Sequence, residues 1–204
     1  MLRMTMVNIF DNIWPMLLIF GVVLITLRLS NLIVNKKPII LYKEFINLLF
    51  ILYVLSFFHV VTFQDVSWST SNFIPFKEMF RYEMFSKLFF KNVIGNMIMF
   101  MPYGLFIGRY VKTKNIFLAT FLILILSITI EVTQLTIGRV FDVDDIMLNV
   151  IGGIIGFSIY LGIDCIGHNI PKIFKKEIIY NIACLIITVL SILYFTNVIK
   201  FGGI

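Results

Sequence analysis

The sequence predicts an all-α, polytopic transmembrane helix bundle of five to six spans, with an interfacial amphipathic helix between spans two and three. Three observations support this. The 204 residues are 60% hydrophobic, and the mean hydropathy is +1.00. Only 14% are charged, whereas ordinary globular domains have about a quarter. Several apolar runs exceed the ~18 residues that indicate a spanning helix. We expect one transmembrane domain over residues 1–204.

Charge and ligand chemistry exclude two classes of function. The net charge is +6, which cytoplasmic loops and anionic head groups explain. No basic block with interleaved aromatic residues stands clear of an apolar run, so we expect no nucleic-acid partner. Cys165 and Cys184 form no C-x-x-C pair, and His59 lies far from His168. We therefore expect no metal site.

The apolar runs place the spans in order along the chain. Trp14 and Arg28 mark the two ends of the first span, as an interfacial anchor and a snorkelling cation do. The sixth span is almost featureless. The predicted spans cover residues 13–34, 45–63, 92–108, 116–137, 146–166 and 178–199.

The longest interruption, residues 64–91, carries the predicted interfacial helix. From Pro75 onward, aromatic and Met residues alternate with charged residues at helical spacing. This pattern is typical of an amphipathic helix in the membrane interface, and Pro75 suits the first turn of a helix.

The third span contains amides and a proline. Asn92 and Asn96 share a helix face, and Pro102 should kink or break the helix because it crowds the carbonyl of Ile98 and lacks an N–H. Two interpretations stay open: a packing kink whose amides bond neighbouring helices, or a broken helix beside a polar cavity.

The polar stretch from residue 130 to 156 joins two apolar runs. Ionisable groups within the membrane are costly, so they are candidates for a functional site. Glu131 lies roughly 9 Å below the end of its span at 1.5 Å per residue, so it must be partnered or protonated. The charged and amide residues of this stretch are Glu131, Gln134, Arg139, Asp142, Asp144, Asp145 and Asn149.

Glycines continue this stretch as a packing seam. Asp145, Asn149, Gly152 and Gly156 fall on one helix face. Small residues let helices approach closely. Gly-x-x-x-Gly pairs serve packing within one chain or dimerisation. We expect Gly95, Gly104, Gly152 and Gly156 to pack helices.

The distribution of lysine and arginine predicts the orientation in the cell membrane. Three short connections are basic, after residues 34, 108 and 166, and we place them in the cytoplasm. The acidic 137–145 turn is then extracytoplasmic. The cations of the 64–91 segment conflict with this count, but an interfacial segment is not a short basic loop.

Three motifs resemble the VanZ-like family of bacterial membrane proteins. They are SNFIPF at 71–76, NVIGNMIMFMPYG at 92–104 and EVTQLTIGRVFDVDDIMLNVIGGIIG at 131–156. The resemblance implies a core over about 65–166, with the 178–199 span as an addition. It singles out Asn72, Pro75, Asn92, Gly95, Asn96, Phe100, Pro102, Gly104, Glu131, Gln134, Arg139, Asp142, Asp145, Asn149, Gly152 and Gly156.

The family resemblance implies a contribution to low-level teicoplanin resistance. Our first hypothesis is an envelope protein without enzymatic activity or a cofactor. It would bind an amphiphile through an outward-facing polar cluster. The expected partners are membrane lipid and a lipid-linked cell-wall precursor or lipoglycopeptide. The cluster comprises Asn92, Asn96, Pro102, Glu131, Gln134, Arg139, Asp142, Asp145 and Asn149.

Three alternatives stay open. An intramembrane enzyme acting on a lipid-linked precursor would use Glu131, Asp142 and Asp145 for proton transfer or for a divalent cation, with Arg139 on a phosphate. A small transporter would use the broken third span. A purely structural network would pair Arg139 with Asp142 or Asp145.

Overall fold

A computed structural model describes residues 2–63, 71–83, 86–169 and 177–195. Within these ranges the chain is helical and contains no strand, so the predicted all-α class is confirmed. The described helices are α1 (Leu2–Val34), α2 (Leu41–Phe63), α3 (Lys87–Phe89), α4 (Gly95–Val111), α5 (Ile116–Thr136), α6 (Val143–Asn169) and α7 (Glu177–Phe195).

Four of the described helices are long and apolar enough to cross a membrane. The qualifying parts are Trp14–Val34, Leu41–Thr62, Ile116–Thr136 and Val143–Gly167. Helix α4 has 17 residues, and the apolar part of α7, Glu177–Val189, is also shorter. The prediction of five to six spans is therefore somewhat higher than the structure shows.

The segment after α2 differs from the predicted amphipathic helix. Its described residues 71–83 form turns and one 3-10 turn, Met79–Arg81. Phe76 has a φ of 68°, in the left-handed region that stops a right-handed helix. Amides of this segment donate to a side chain of α6 instead of to their own helix. Residues 64–70 and 84–85 lie outside the described ranges.

Helix α4 is not broken at Pro102. The chain stays helical from Gly95 to Val111 with Pro102 inside. The irregular part lies earlier, where Phe90–Ile94 form a π-helical turn that carries Asn92. Such turns occur frequently at functional sites. The predicted break is therefore wrong, and the distortion lies next to the amides instead.

The chain forms two compact units where the sequence predicts one domain. Unit 1 comprises Met1–Val54 and Asn169–Ile204, and unit 2 comprises Leu55–His168. In unit 1, Arg28 donates two hydrogen bonds to the carboxylate of Glu44, at 2.8 and 2.9 Å. The backbone N–H of Tyr42 donates to the side chain of Asn181 at 3.0 Å, which links α2 to α7.

Unit 2 has an apolar core between α4, α5 and α6. Phe100, Ile123 and Phe157 are fully buried, and the ring of Phe57 meets Phe100 edge-on at 5.4 Å between centroids. Burying a side chain of this kind contributes about 1.5–3 kcal/mol. This core fixes the angular position of the three helices, and hence of the polar groups at their ends.

Glycines bring α4 and α6 into backbone contact. A β-carbon on Gly104 would overlap the carbonyl of Gly153, and one on Gly152 or Gly156 would overlap the backbone of α4. A β-carbon on Gly95 would meet only the carbonyl of Phe90, in the preceding helical turn, at 3.6 Å. The two Gly-x-x-x-Gly pairs, Gly104 with Gly108 and Gly152 with Gly156, thus lie in a contact inside one chain, and Gly95 does not.

Candidate functional site

The turn between α5 and α6 is tied to the segment before Pro75. The N–H of Asn72 donates to the carbonyl of Phe141 at 2.8 Å, and the N–H of Val143 donates to the carbonyl of Asn72 at 3.1 Å. The side-chain amide of Asn72 also donates to Asp142 Oδ1 at 2.9 Å. Asn72 is 5% exposed. These bonds hold the segment over the start of α6.

Asp144 anchors the same segment through its carboxylate. Oδ1 accepts the N–H of Phe76 at 2.5 Å. Oδ2 accepts the N–H groups of Glu78 at 2.7 Å and Met79 at 2.9 Å. The side chain is 1% exposed, and hydrogen bonds to an ionised acceptor are the strong ones. Three backbone donors therefore compensate one buried carboxylate.

Asp142 caps the N-terminus of α6. Its Oδ1 accepts the N–H of Asp144 at 2.9 Å, as an N-cap side chain does. Burial raises the pKa of the Asp142 carboxyl above its ordinary value of 3.8, and the hydrogen bonds from Asn72 and from Asp144 oppose that rise.

Glu131 lies behind this turn and is 2% exposed. Its Oε2 accepts the N–H of Asp142 at 3.0 Å. With its amide oriented to suit both neighbours, Gln134 donates to Glu131 Oε1 at 3.1 Å and accepts from Arg139 Nη1 at 2.8 Å. Glu131 was predicted to be partnered or protonated, and the structure gives it an amide and a backbone N–H as partners.

Arg139 is held by carbonyl groups and not by the aspartates. Its Nη1 donates to the carbonyl of Val61 on α2 at 2.8 Å. Among the described residues, no ion pair joins Arg139 to Asp142 or Asp145. The structural alternative therefore stays a prediction, without this pairing among the described ion pairs.

Asp145 and Asn149 follow on the next turns of α6. Asp145 Oδ1 accepts from the side-chain amide of Asn96 on α4 at 2.5 Å. One turn deeper, Asn149 donates to Ser127 Oγ on α5 at 3.0 Å. Asn149 is 2% exposed, and its Oδ1 has no hydrogen-bond partner within the described part of the chain.

These groups surround a cavity of about 970 Å³ within unit 2. Acidic and amide side chains from α4, α6 and the α5–α6 turn meet basic side chains from the 71–83 segment and the π-helical turn. The lining residues are Asn72, Lys77, Glu78, Met79, Arg81, Tyr82, Leu88, Lys91, Asn92, Val93, Asn96, Gln134, Arg139, Val140, Asp142, Asp144, Asp145 and Leu148. We call this the polar cavity.

The structure brings most of the predicted cluster together. Those that line the polar cavity are Asn92, Asn96, Gln134, Arg139, Asp142 and Asp145. Glu131 and Asn149 lie behind the wall, bonded to lining or core residues. Pro102 lies further along α4 and lines no part of it.

Sequence reasoning missed several members of the site. Asn72 was noted only as a motif residue and Asp144 only as part of an acidic run, yet each makes several of the bonds above. The cations Lys77, Arg81 and Lys91 were assigned to an interfacial helix, but they line the polar cavity. The SNFIPF motif was the available signal for this segment.

Over the described ranges, no three Asp, Glu, His or Cys side chains are grouped so that they could hold a metal ion. The available chemistry is hydrogen bonding to carboxylate and amide groups, with cations at the cavity edge.

Comparison with known proteins identifies the family. Residues 45–166 match the sequence profile of the VanZ/LLP1 family. The chain belongs to the VanZ/LLP1 family. Within it, Protein VanZ of Enterococcus faecium is 39% identical over 75 residues, which cover 35% of this chain and 45% of that protein. The aligned part is thus less than half of that relative. No solved structure matches the chain.

The VanZ/LLP1 match places the site within the family region. The match begins at residue 45, about 20 residues before the predicted core, and it ends close to the end of unit 2. All residues of the polar cavity fall inside it. This chain is therefore a membrane protein whose family region contains the candidate site.

Proposed function

We propose that this chain is an envelope membrane protein that binds an amphiphile in the polar cavity and thereby contributes to low-level teicoplanin resistance. One observation carries the proposal. A charged cavity of about 970 Å³ lies at the ends of apolar helices, inside the VanZ/LLP1 region. Pockets for small ligands commonly have volumes of about 300–1,000 Å³.

The surroundings of the polar cavity favour an amphiphile over a soluble ligand. Phe73, Ile74 and Phe80 on the 71–83 segment are 68%, 62% and 75% exposed. Large exposed apolar side chains beside polar groups are typical of a membrane contact. A molecule with a polar head and an apolar chain would satisfy both surfaces at once.

We propose further that the polar cavity opens to the outside of the cell. The acidic 137–145 turn forms part of it, and short basic connections are placed in the cytoplasm by the Lys and Arg count. The conflicting cations Lys77, Arg81 and Lys91 line the polar cavity. A role in the site would account for their departure from the charge rule.

Teicoplanin carries an acyl chain, which supports an effect at the membrane surface. The test is drug susceptibility of a strain that lacks this chain, with the gene restored on a plasmid. We expect the deletion to increase susceptibility to teicoplanin and to leave susceptibility to a non-acylated glycopeptide unchanged. Equal shifts for both drugs would contradict acyl recognition, and no shift for either would contradict the proposed resistance.

A further inference from the structure

The wall of the polar cavity presents carboxylate oxygens that lack donors. Asp142 and Asp145 each use Oδ1 for the hydrogen bonds described above. Neither Oδ2 atom has a donor among the residues that the structure describes. A carboxyl oxygen without a donor can accept a hydrogen bond, so a ligand that fits here supplies hydroxyl or N–H donors.

The lining of the polar cavity also presents cations. Arg81 donates to Glu78 at 3.0 Å. Lys77 and Lys91 are exposed, and neither forms an ion pair within the described ranges. Nearby, Asn92 adds an amide to the lining. Lysine binds phosphate as a point charge, so this side suits a phosphate group.

The apolar surface supplies the third element of recognition. Leu88 lines the polar cavity and is 57% exposed, close in sequence to Lys91. The exposed residues Phe73, Ile74 and Phe80 follow Asn72 on the segment that the aspartates hold. A ligand seated between the cations and the carboxylates would therefore keep its apolar chain in the membrane interface.

We propose that the polar cavity binds the head group of a lipid-linked sugar phosphate. The phosphate lies against Lys77 and Lys91, and sugar hydroxyl groups donate to the free oxygens of Asp142 and Asp145. The inference rests on the proposed function, because it names the class of amphiphile that the cavity takes. It also gives the free carboxylates a role as hydrogen-bond acceptors for an uncharged sugar.

The test is binding to the full chain in phosphatidylcholine nanodiscs. The probes are a polyprenyl diphosphate that carries N-acetylglucosamine, the same polyprenyl diphosphate without the sugar, and phosphatidylglycerol. We expect the glycosylated lipid to bind about tenfold more tightly than the unglycosylated one, because its hydroxyl groups add hydrogen bonds to the two carboxyl groups. Phosphatidylglycerol should bind most weakly.

Variants separate the two parts of the head group. The double substitution Lys77→Gln and Lys91→Gln should weaken the binding of both polyprenyl lipids by about tenfold, because it removes two exposed charge pairs with the phosphate. Lys112→Gln with Lys114→Gln removes the same charge at the other end of α4 and should leave binding within about twofold. Asp145→Asn should lower the affinity of the glycosylated lipid to that of the unglycosylated one.

Each outcome decides the inference. Equal binding of the two polyprenyl lipids to the wild-type protein, or equal effects of the two lysine pairs, would overturn it. If Asp145→Asn does not fold, these two comparisons still decide, because the lysines are exposed. If the wild-type protein shows no sugar preference, the inference fails while the proposed teicoplanin resistance stands, whereas absent resistance with intact lipid binding would overturn only the proposed function.

Discussion

Charged side chains at the two ends of α5 and α6 are used differently. At the polar cavity, Glu131 and Asp144 are almost fully buried and bonded to backbone or amide donors. At the other end, Lys114 and Asp164 form an ion pair at 2.7 Å with side-chain exposures of 70% and 26%. Exposed pairs contribute about 0–1 kcal/mol. The buried carboxyl groups at the polar cavity therefore need hydrogen-bond donors from the protein, whereas water can solvate the exposed pair.

The difference shows which end of α5 and α6 fixes the conformation of its neighbouring segments. A buried carboxylate without partners costs several kcal/mol. The bonds to Asp142 and Asp144 therefore constrain the 71–83 segment, and the bond to Glu131 constrains the α5–α6 turn. The hydrogen bond to Asp164, and then the charge of that carboxylate, raise the pKa of Lys114, but this exposed pair constrains the structure little. Substitutions of the same kind at the two ends should therefore have unequal effects.

The largest effect should come from adding a side chain where the backbones of α4 and α6 are in contact. Gly104→Ala places a β-carbon against the carbonyl of Gly153, and overpacking costs about 1–3 kcal/mol or more. Gly162→Ala on α6 meets nothing within 4 Å and should gain up to about 1 kcal/mol from helix propensity. Thermal denaturation in detergent measures both, and equal midpoints would contradict the close contact.

A smaller effect is expected from the anchor of the 71–83 segment. Asp144→Asn replaces one carboxylate oxygen by an NH2 group, which cannot accept a hydrogen bond from the backbone N–H groups that face it. The free energy of unfolding should fall by about 1–3 kcal/mol. Amide hydrogen exchange at Phe76, Glu78 and Met79 should then speed up at least about tenfold. The matched control is Asp164→Asn at the other end, for which we expect no change in those amides. Unchanged protection in Asp144→Asn would contradict the anchor.

The smallest effect concerns pH. The pKa of Asp142 is raised by burial, so the folded state binds the proton more tightly than the unfolded state does. The contribution of this group to stability is present below its ordinary value of 3.8 and is lost as pH rises through the raised pKa. Asp142→Asn should flatten the pH dependence of the midpoint over that window. An unchanged slope would contradict the assignment.

Much of this architecture could be predicted from the sequence, because membrane spans are long apolar runs and the glycines that pack helices recur at helical spacing. The apolar runs predict the ends of α2, α5 and α6 to within a few residues, and they predict the apolar part of α1, Trp14–Val34, but not its start at Leu2. The four-residue spacing of Gly152 and Gly156 predicts a close contact. The prediction that Asn96, Asp145 and Arg139 lie in one cluster followed from the cost of placing polar and charged side chains in an apolar setting.

The rest depended on contacts between distant segments. The 71–83 segment has helical periodicity, but Asp144 takes its amides and Phe76 adopts a left-handed backbone. Pro102 predicts a break that α4 does not show. Local spacing could not reveal that a side chain about 65 residues later sets the backbone here.

The role of the polar cavity can be tested most directly by comparing Asp145→Asn with Asp164→Asn in the deletion strain. The two variants make the same chemical change, one at the polar cavity and one at the exposed ion pair of α6. At equal amounts in the membrane, we expect Asp164→Asn to restore teicoplanin resistance and Asp145→Asn to leave the strain as susceptible as the deletion. Full resistance with Asp145→Asn would contradict a functional role for the cavity.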